Sequence, residues 1–371
     1  MRFVLFVHSL VSDWNHGNAH FLRGIVRELQ ALGHEVRVYE PDDGWSRRHL
    51  IAEHGLPALD AFSLRFPGLT SLTYRLGRLD LDRMLDGADA VIVHEWNDPA
   101  LVAALGRHRR RGGRALLLFH DTHHRSISDR AALEALDLDG YDGVLAFGEV
   151  LREIYLAQGW SDRVWTWHEA ADVALFTPLS DRPKRGDVIW IGNWGDGERT
   201  AELETYLMAP VRALGLSGTV HGVRYPQEAV DALGQACLDY RGWLANADVP
   251  EAFAAHRLTV HVPRRPYVEA LPGIPTIRVF EALACGIPLI SAPWDDREGL
   301  FEIGRDFLMA HDGEAMKEAM RFLLNDAEAA REIARNGRAI VLARHTCRHR
   351  VRELLAICAS LGSEAAMPEV A

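Results

Sequence analysis

The sequence predicts an α/β protein made of two doubly wound domains, each with a parallel sheet. Short apolar runs of strand length alternate with amphipathic helical patterns, which favours parallel strands joined by helical crossovers. A turn-rich segment, TPLSDRPKRGD at 177–187, interrupts this alternation, and the alternation then starts again. The length of 371 residues also suits two domains, because a domain usually takes about 150 residues.

The first half begins with the clearest strand–helix–strand unit. FVLFVH (3–8) is a continuous apolar run, typical of a strand that is covered on both faces. FLRGIVRELQALG (21–33) places its leucines, isoleucine and valine on one helical stripe and ends at Gly33, and HEVRVYE (34–40) is the next strand. The later elements of this half are strands predicted at 90–95, 115–120 and 143–148 and helices at 99–110 and 150–159.

The second half repeats the pattern after the turn-rich segment. Its predicted strands are 187–192, 218–222, 257–262 and 287–292, and its last helices are 313–326, 327–345 and 347–362. The domains predicted from this are 1–177, a linker at 178–186, a second domain at 187–345, and a helix at 346–362 that packs back on the first domain.

Charge and cysteine content narrow the classes of function. The formal net charge is −11, so the overall field repels nucleic acid and anionic membranes, and an anionic ligand would need a local cluster of cations. The four cysteines form no CxxC pair, which argues against a disulfide framework or a structural zinc. No apolar run approaches the ~20 residues of a membrane span. We therefore expect a cytoplasmic protein.

Open α/β sheets bind ligands beyond the carboxyl ends of their strands, so two such domains facing one another would form a ligand cleft. PGIPTIRVFEALACGIPLI (272–290) lies at such a position. Pro275 suits the first turn of a helix and Gly286 its left-handed end. Arg278 and Glu281 fall on a stripe of small residues, where a ligand can approach closely.

This helix offers two interpretations. Its lead-in, Gly273 to Thr276, would present N–H groups to a phosphate, and Glu281 could accept hydrogen bonds from two vicinal hydroxyls, as on a ribose. Alternatively, Arg278 and Glu281 form a surface ion pair that contributes little.

The sequence resembles the GT-B glycosyltransferases, and most closely the spore-maturation CgeB-like group. The resemblance rests on motifs spread over nearly the whole chain: residues 6–40, 144–160, 168–179, DVIWIGNWGDGER (187–199), RVFEALACGIPLISAPWDD (278–296), 304–313 and 345–357. It implies a GT-B fold with two Rossmann-like domains across a cleft and a C-terminal helix crossing back to the first. It also implies a hexosyltransferase-like activity with a nucleotide-sugar donor.

The resemblance assigns roles residue by residue. Glu281 matches the glutamate that binds the donor ribose, and Arg199 matches a cation for the donor diphosphate. Gly17 and Asn18 lie in the loop that faces the diphosphate. His120 and Asp121 match the loop over the donor sugar and the acceptor.

One position departs from the family pattern. Many retaining relatives carry a second glutamate seven residues before the ribose glutamate, where this chain has Gly273. The resemblance therefore leaves the stereochemical outcome open.

Further candidates follow other strands of the second half. Arg264, Arg265 and Tyr267 come directly after the strand at 257–262. Fixed arginines and helix N–H groups can stabilise a diphosphate leaving group without a metal ion, and Arg199, Arg264 and Arg278 are the candidates, with Arg265 in reserve. Trp243 would pack on the base, or else belong to the core.

The first half supplies candidates for the acceptor side. His120 or Asp121 would act as general base toward the acceptor hydroxyl, with Asp13 and His20 as alternatives. Trp96 would stack on a sugar face and Glu95 would contact the acceptor. The run HDTHH (120–124) suggests a metal, but it has no partner cluster, so we predict neither a metal nor a cofactor.

Together these observations predict a metal-independent glycosyltransferase that moves a sugar from a nucleotide-diphosphate sugar to an acceptor hydroxyl. The acceptor could be a glycan, a lipid-linked molecule, a protein or a small molecule. The alternatives are a nucleotide-sugar epimerase of the same fold and a non-catalytic nucleotide-sugar-binding relative.

Overall fold

The computed structural model describes residues 1–179, 182–195 and 197–365. The chain divides into two compact units, Met1–Glu169 together with the chain from Cys347 onward, and Ala170–Thr346. Each unit contains one sheet in which all paired strands are parallel. The predicted pair of doubly wound α/β domains is therefore confirmed.

The sheet of the first unit has seven strands in the order β3-β2-β1-β4-β5-β6-β7. Its central strands are buried over nearly their whole length, as continuous apolar runs require. The strands are β1 (Arg2–Phe6), β2 (Glu35–Pro41), β3 (Leu72–Tyr74), β4 (Ala90–His94), β5 (Leu116–Asp121), β6 (Gly143–Ala146) and β7 (Val164–Thr166).

Helices connect these strands. Asp98 caps the helix that follows β4 by accepting a hydrogen bond from the Ala100 N–H at 2.8 Å, and Pro99 occupies the first position of that helix. The helices are α1 (Ala19–Ala31), α2 (Trp45–His54), α3 (Pro57–Arg65), α4 (Leu81–Met84), α5 (Pro99–Arg110), α6 (Arg125–Ser128), α7 (Arg130–Glu134) and α8 (Glu149–Gln158), with a 3-10 turn at Leu76–Arg78.

The sheet of the second unit has six strands in the order β10-β9-β8-β11-β12-β13. The strands are β8 (Gly186–Ile191), β9 (Gly218–His221), β10 (Leu238–Tyr240), β11 (His256–His261), β12 (Leu289–Ser291) and β13 (Leu308–Met309). The helices are α9 (Thr200–Leu203), α10 (Ala209–Leu214), α11 (Gln227–Gln235), α12 (Val249–Ala254), α13 (Arg265–Glu269), α14 (Ile277–Cys285), α15 (Gly313–Asn325) and α16 (Ala327–Arg344), with a π-helical turn at Glu204–Met208 and a 3-10 turn at Asn246–Asp248.

The last helix, α17 (Cys347–Ala365), belongs to the first unit, as the predicted fold requires. The Trp167 indole N–H donates to the Arg350 carbonyl at 2.8 Å, and Arg348 pairs with Glu28 of α1 at 2.9 Å. Its apolar face, including Val351 and Leu354, is buried. These contacts fix α17 against α1.

Some elements differ from the sequence-based expectation. Helix α14 begins at Ile277 rather than at Pro275, because Thr276 occupies the cap position. The strands β3, β7 and β10, of three residues each, were not predicted, because so short a run shows no periodicity. The predicted domain boundary at 177 stays a prediction, while the two units of the structure divide after Glu169. No helix within the described residues is long and apolar enough to cross a membrane.

Candidate functional site

The carboxyl edge of the second unit's sheet gathers three predicted arginines. Arg199 ends the loop after β8, Arg264 follows β11, and Arg278 lies in the first turn of α14. The Arg199 guanidinium donates to the carbonyls of Asn193 and, at 3.1 Å, of Val262, and it lies 5.0 Å from the centre of the Trp190 ring. Its position therefore ties the ends of β8 and β11 together.

Two glycines make room for Arg199. Gly195 has a φ of +92°, and a Cβ there would lie 2.9 Å from the Arg199 Cγ. A Cβ on Gly192 would lie 2.7 Å from the Trp190 ring and 3.2 Å from an Arg199 nitrogen. The side chain can fold back over the end of β8 only because both positions lack a side chain.

The other arginines of this edge are paired with carboxylates. Arg264 donates to Glu198 at 2.5 Å, and Arg265 donates to Glu202 at 3.2 Å. Arg264 and the reserve candidate Arg265 therefore form two separate ion pairs.

Arg278 and Glu281 form an ion pair one turn apart on α14, and the Glu281 side chain is fully buried. The sequence allowed a surface ion pair at this place. The observed pair is instead largely buried. In such a pair, removing one partner destabilises the fold because it leaves the other charge buried and unpaired. Helix α14 ends at Gly286 in the left-handed conformation, with φ +66°, as predicted.

The electrostatics of this edge favour an anion. Arg199 has backbone carbonyls, and no carboxylate, as its hydrogen-bond partners within the described ranges 1–179, 182–195 and 197–365. Burial, and then the positive charges of Arg264 and Arg278, lower the pKa of Arg199 to about 9. A bound diphosphate would relieve both effects, since it brings negative charge to a desolvated cation.

His261 is a residue of this edge that the sequence analysis missed. Its ring nitrogens lie 2.8 Å from the Ser291 hydroxyl and 3.0 Å from the Thr276 hydroxyl. Burial, and then the charges of Arg199 and Arg278, lower the pKa of His261 to about 3. A neutral His261 thus fixes the cap of α14 beside the arginines.

Gly273 is a glycine for steric reasons. Its φ is +93°, and a Cβ there would lie 2.8 Å from a carboxylate oxygen of Glu298. Its N–H donates to the Asp295 carbonyl at 2.6 Å, so this part of the lead-in is already bonded within the protein. The predicted set of free N–H groups before α14 is therefore smaller than the sequence suggested.

Tyr267 and Trp243 lie elsewhere around the same edge. Tyr267 is buried within α13, and Trp243 is half-buried in the loop that follows β10. Base packing and core packing, the two alternatives for Trp243, both stay predictions.

The carboxyl edge of the first unit's sheet is built around the loop after β1. Arg23, which is 1% exposed, donates to the carbonyls of Leu10 at 2.8 Å and Val11 at 3.0 Å. The buried Glu40 carboxylate accepts from the N–H groups of the same two residues at 2.6 and 3.3 Å. The cation thus fixes the carbonyl groups of Leu10 and Val11, and the anion fixes their N–H groups.

Two predicted bases are enclosed by this arrangement. Asp13 pairs with Arg23 at 2.9 Å, and their side chains are 7% and 1% exposed. His20 is fully buried within α1. Neither side chain is placed where an acceptor reaches it without rearrangement.

His120 and Asp121 end β5 and are both buried. Asp121 accepts from the Tyr155 hydroxyl at 2.7 Å and from the His123 N–H at 3.1 Å. Burial, and then the nearby Glu95, raise the pKa of Asp121 well above its usual value. His120 packs 4.8 Å from the Trp167 ring, and burial lowers its pKa to about 3.

Asn18 and Glu95 join this edge through Thr122. The Asn18 amide donates to the Thr122 hydroxyl at 2.6 Å, and that hydroxyl donates to Glu95 at 3.0 Å. Glu95 is fully buried and also accepts from Arg125 at 2.7 Å. Arg125 would have to move before an acceptor could reach the Glu95 carboxylate. Gly17 and Asn18 lie in the loop directly before α1.

A chain of buried histidine rings crosses the same edge. The ring centres are 5.4 Å apart for His8 and His16, 6.2 Å for His16 and His94, and 5.3 Å for His94 and His120. Burial is the largest cause that lowers the pKa of each of the four. All four rings are therefore neutral at pH 7.

Metal-binding side chains do not converge in the part of the chain that the structure describes. There, no three His, Cys, Asp or Glu side chains are grouped so as to hold a metal ion. The predicted absence of a metal remains a prediction.

Comparison with protein families finds matches in both halves of the chain. A family described as "Glycosyl transferase 4-like domain" matches residues 16–168, and one described as "Glycosyl transferase-like" matches residues 199–356. A search of curated proteins finds no match.

Solved structures share the fold over nearly the whole chain. Sucrose-phosphate synthase from Thermosynechococcus elongatus matches with a TM-score of 0.66 at 15% identity, covering 98% of this chain and 100% of that one. Anabaena HepE in complex with UDP matches with a TM-score of 0.67 at 14% identity, covering 97% and 100%. Phage T4 BGT in complex with UDP and Mn²⁺ matches with a TM-score of 0.61 at 14% identity, covering 97% and 99%.

Proposed function

We propose that this chain, which belongs to the GT-B glycosyltransferases, transfers the sugar of a UDP-sugar to an acceptor hydroxyl without a metal ion. The observation that carries the proposal is the group of Arg199, Arg264 and Arg278 at one edge of the second unit's sheet, where burial, and then the charges of Arg264 and Arg278, lower the pKa of Arg199. UDP is the nucleotide of choice because HepE and BGT, which share this fold, were solved with UDP. Within the family we propose the CgeB-like group, on the motifs spread over nearly the whole chain that carry that resemblance.

The transfer requires one bond to form and one to break. The acceptor oxygen bonds to the anomeric carbon of the donor sugar, and the bond from that carbon to the diphosphate oxygen breaks. The electron pair of the broken bond leaves with UDP, and the acceptor proton passes to a base. Negative charge therefore develops on the diphosphate, where fixed arginines stabilise it more in the transition state than in the ground state.

Arg278 and Glu281 would divide their tasks when the donor binds. Without a ligand, each neutralises the other inside a buried ion pair. An arginine has five N–H donors, so Arg278 can keep one contact with Glu281 while it donates to the diphosphate. The Glu281 carboxylate would accept hydrogen bonds from the ribose hydroxyls.

His120 is the base that we propose among the four candidates. Asp13 and Asp121 are held by Arg23 and Tyr155, and His20 is enclosed by α1. Like His20, His120 is buried, but it ends β5 at the carboxyl edge of the sheet, and its ring nitrogens have no hydrogen-bond partner in the described part of the chain. An acceptor hydroxyl could bond to them once the side chains that cover His120 move. Because the pKa of His120 is lowered to about 3, kcat/KM should show no ionisation of this group between pH 6 and 8 (roughly the range in which an unperturbed histidine titrates).

Calorimetric titration with UDP, GDP, dTDP and ADP tests the proposal, in buffer with EDTA and again with Mn²⁺. We expect UDP to bind most tightly and with the same affinity in both buffers. Binding of UDP only with Mn²⁺ would overturn metal independence, and tighter binding of another nucleotide would overturn the choice of UDP. Incubation with UDP-glucose or UDP-N-acetylglucosamine alone then separates the classes, since an epimerase would yield an isomer and a transferase would not.

A further inference from the structure

We propose that a cavity at the carboxyl edge of the first unit's sheet is the acceptor subsite, and that it takes a neutral saccharide rather than a phosphorylated or carboxylated one. The cavity has a volume of about 500 Å³ and lies beyond the ends of β2, β3 and β4. That volume is in the range of small-molecule sites and is ample for one or two sugar rings. This inference rests on the proposed function, because it names the acceptor of that reaction.

The cavity adjoins the loops that carry the predicted chemistry. Trp96 and Asp98, which line it, follow directly after β4. The last residue of β4, His94, lies 3.2 Å from the Thr122 hydroxyl, to which Asn18 donates. A sugar in the cavity would thus lie beside the loops of Asn18 and His120 rather than at the opposite edge of the sheet.

Trp96 supplies an aromatic wall that is already held in place. The Arg125 guanidinium lies 4.5 Å from the centre of its ring, and the His123 ring meets it edge-on at 4.9 Å. The indole is nevertheless half-buried and lines the cavity. An aromatic ring fixed in this way can pack on the apolar C–H face of a sugar with little loss of side-chain freedom.

Tyr74 and Asn97, which also line the cavity, belong to a network of hydrogen bonds. The Tyr74 hydroxyl donates to Asn97 at 3.2 Å, and the Asn97 amide donates to the carbonyls of Phe6 at 2.8 Å and His94 at 2.7 Å. These bonds join the ends of β1, β3 and β4. The wall is therefore shaped before any ligand arrives.

The charge of the lining decides the class of ligand. Asp42, Asp43 and Asp98 face one arginine, Arg75, which is paired with Asp42. Carboxylates accept hydrogen bonds from sugar hydroxyls, but they repel a phosphate or a carboxylate in the same cavity. Burial, and then Asp98 and Asp43, raise the pKa of Tyr74, in keeping with a negative potential at the cavity wall.

Saturation-transfer NMR with the full chain and UDP tests the inference. The probes are methyl glucoside, methyl galactoside and methyl mannoside, each with its 6-phosphate. We expect at least one neutral glycoside to bind and its 6-phosphate to bind about tenfold more weakly at low salt, with the gap narrowing at high salt as screening shortens the range of repulsion.

Two variants locate the binding. Asp43→Asn removes an exposed charge, should fold normally, and should strengthen 6-phosphate binding toward that of the neutral glycoside. Trp96→Ala should abolish neutral binding, and Trp96→Phe should restore part of it. Equal binding of both classes to the wild type, no binding of any neutral glycoside, or unchanged binding to Trp96→Ala would overturn the inference.

A separate titration keeps the two proposals distinct. UDP affinity should stay within about twofold of wild type in Asp43→Asn and Trp96→Ala, since the proposed arginines lie in the other unit. If the wild type fails to bind UDP, the proposed function fails, whatever the glycosides do. If UDP binds but the neutral glycosides do not, only the acceptor inference is overturned.

Discussion

The buried histidines predict that acid destabilises the first unit at a pH well above the range of carboxylates. His8, His16, His94 and His120 are neutral in the folded unit because burial lowers the pKa of each, to about 4 for His8 and about 3 for His120. In the unfolded chain each titrates near pH 6.5. Between these values only the unfolded state binds protons, so stability falls as the pH falls from 6.5 toward 4.

The size of the loss follows from proton linkage. A histidine that stays neutral when folded costs about 1.9 kcal/mol of unfolding free energy between pH 7 and pH 5. Four such residues together cost about 7.6 kcal/mol, against a usual total of about 5–15 kcal/mol for a domain. The second unit holds three histidines with a lowered pKa: His261, at about 3, the half-buried His221, at about 4, and the buried His256. Acid should therefore lower the stability of the first unit more than that of the second.

Urea titrations followed by circular dichroism at pH 7, 6 and 5 measure this effect. The midpoint of the first transition should move steeply to lower urea as the pH falls. His120→Gln should reduce the mean slope of unfolding free energy against pH, between pH 7 and pH 5, by about 0.95 kcal/mol per pH unit, which is half of the loss for one histidine over that range. His54→Gln, which changes an exposed histidine of the same unit, serves as the control and should leave the slope unchanged.

Two results would refute this reasoning. One is a first transition with equal free energy at pH 7 and pH 5, within about 1 kcal/mol, because four neutral histidines require a loss several times larger. The other is a slope that His120→Gln does not reduce.

Three further substitutions test individual contacts. Glu281→Ala should weaken UDP binding about tenfold or more, and equal affinity in calorimetry would contradict the ribose assignment. The variant should also be less stable, because it leaves Arg278 largely buried without its partner. Glu40→Gln should lower the unfolding free energy by about 1.5–3 kcal/mol, because the buried carboxylate bonds to two backbone N–H groups, and an unchanged urea midpoint would contradict that role. Gly273→Ala should lower the melting temperature of the second unit, because φ +93° and the Glu298 side chain both oppose a Cβ; an unchanged melting temperature would show that the lead-in can relax.

The fold was predictable where strands are long and buried. Runs such as 90–95 and 115–120 read as covered strands, and the structure has β4 and β5 there. The segment 42–88 carries α2, α3 and β3, whose polar or very short patterns gave no signal. Long-range packing, rather than local periodicity, determines such elements.

The site was predictable from strand order but not in its detail. Residues after the strands of one sheet must meet at one edge, which is why Arg199, Arg264 and Arg278 could be grouped from the sequence. Whether a residue at a strand end faces solvent or the core depends on packing, and Glu95 and His120 proved to be buried. No local sequence pattern predicts that a polar residue at the end of a strand is buried.

The residues missed by the sequence analysis act through tertiary contacts. His261 looked like an ordinary polar residue near a strand end, and its role depends on Ser291 and Thr276, which lie 30 and 15 positions further along the chain. Arg23 and Glu40 similarly hold the loop after β1 from two different elements.

The measurement that tests the central claim most directly is the affinity of UDP for Arg199→Gln. The matched control is Arg257→Gln, which makes the same change of charge at the start of β11, on the opposite edge of the same sheet. The charge-assisted hydrogen bonds of one arginine contribute about 1.5–3 kcal/mol. Arg199→Gln should therefore bind UDP about 10- to 160-fold more weakly than wild type, and the control should bind it as wild type does. Equal affinity for UDP in the two variants would contradict a diphosphate site at the arginines of the second unit.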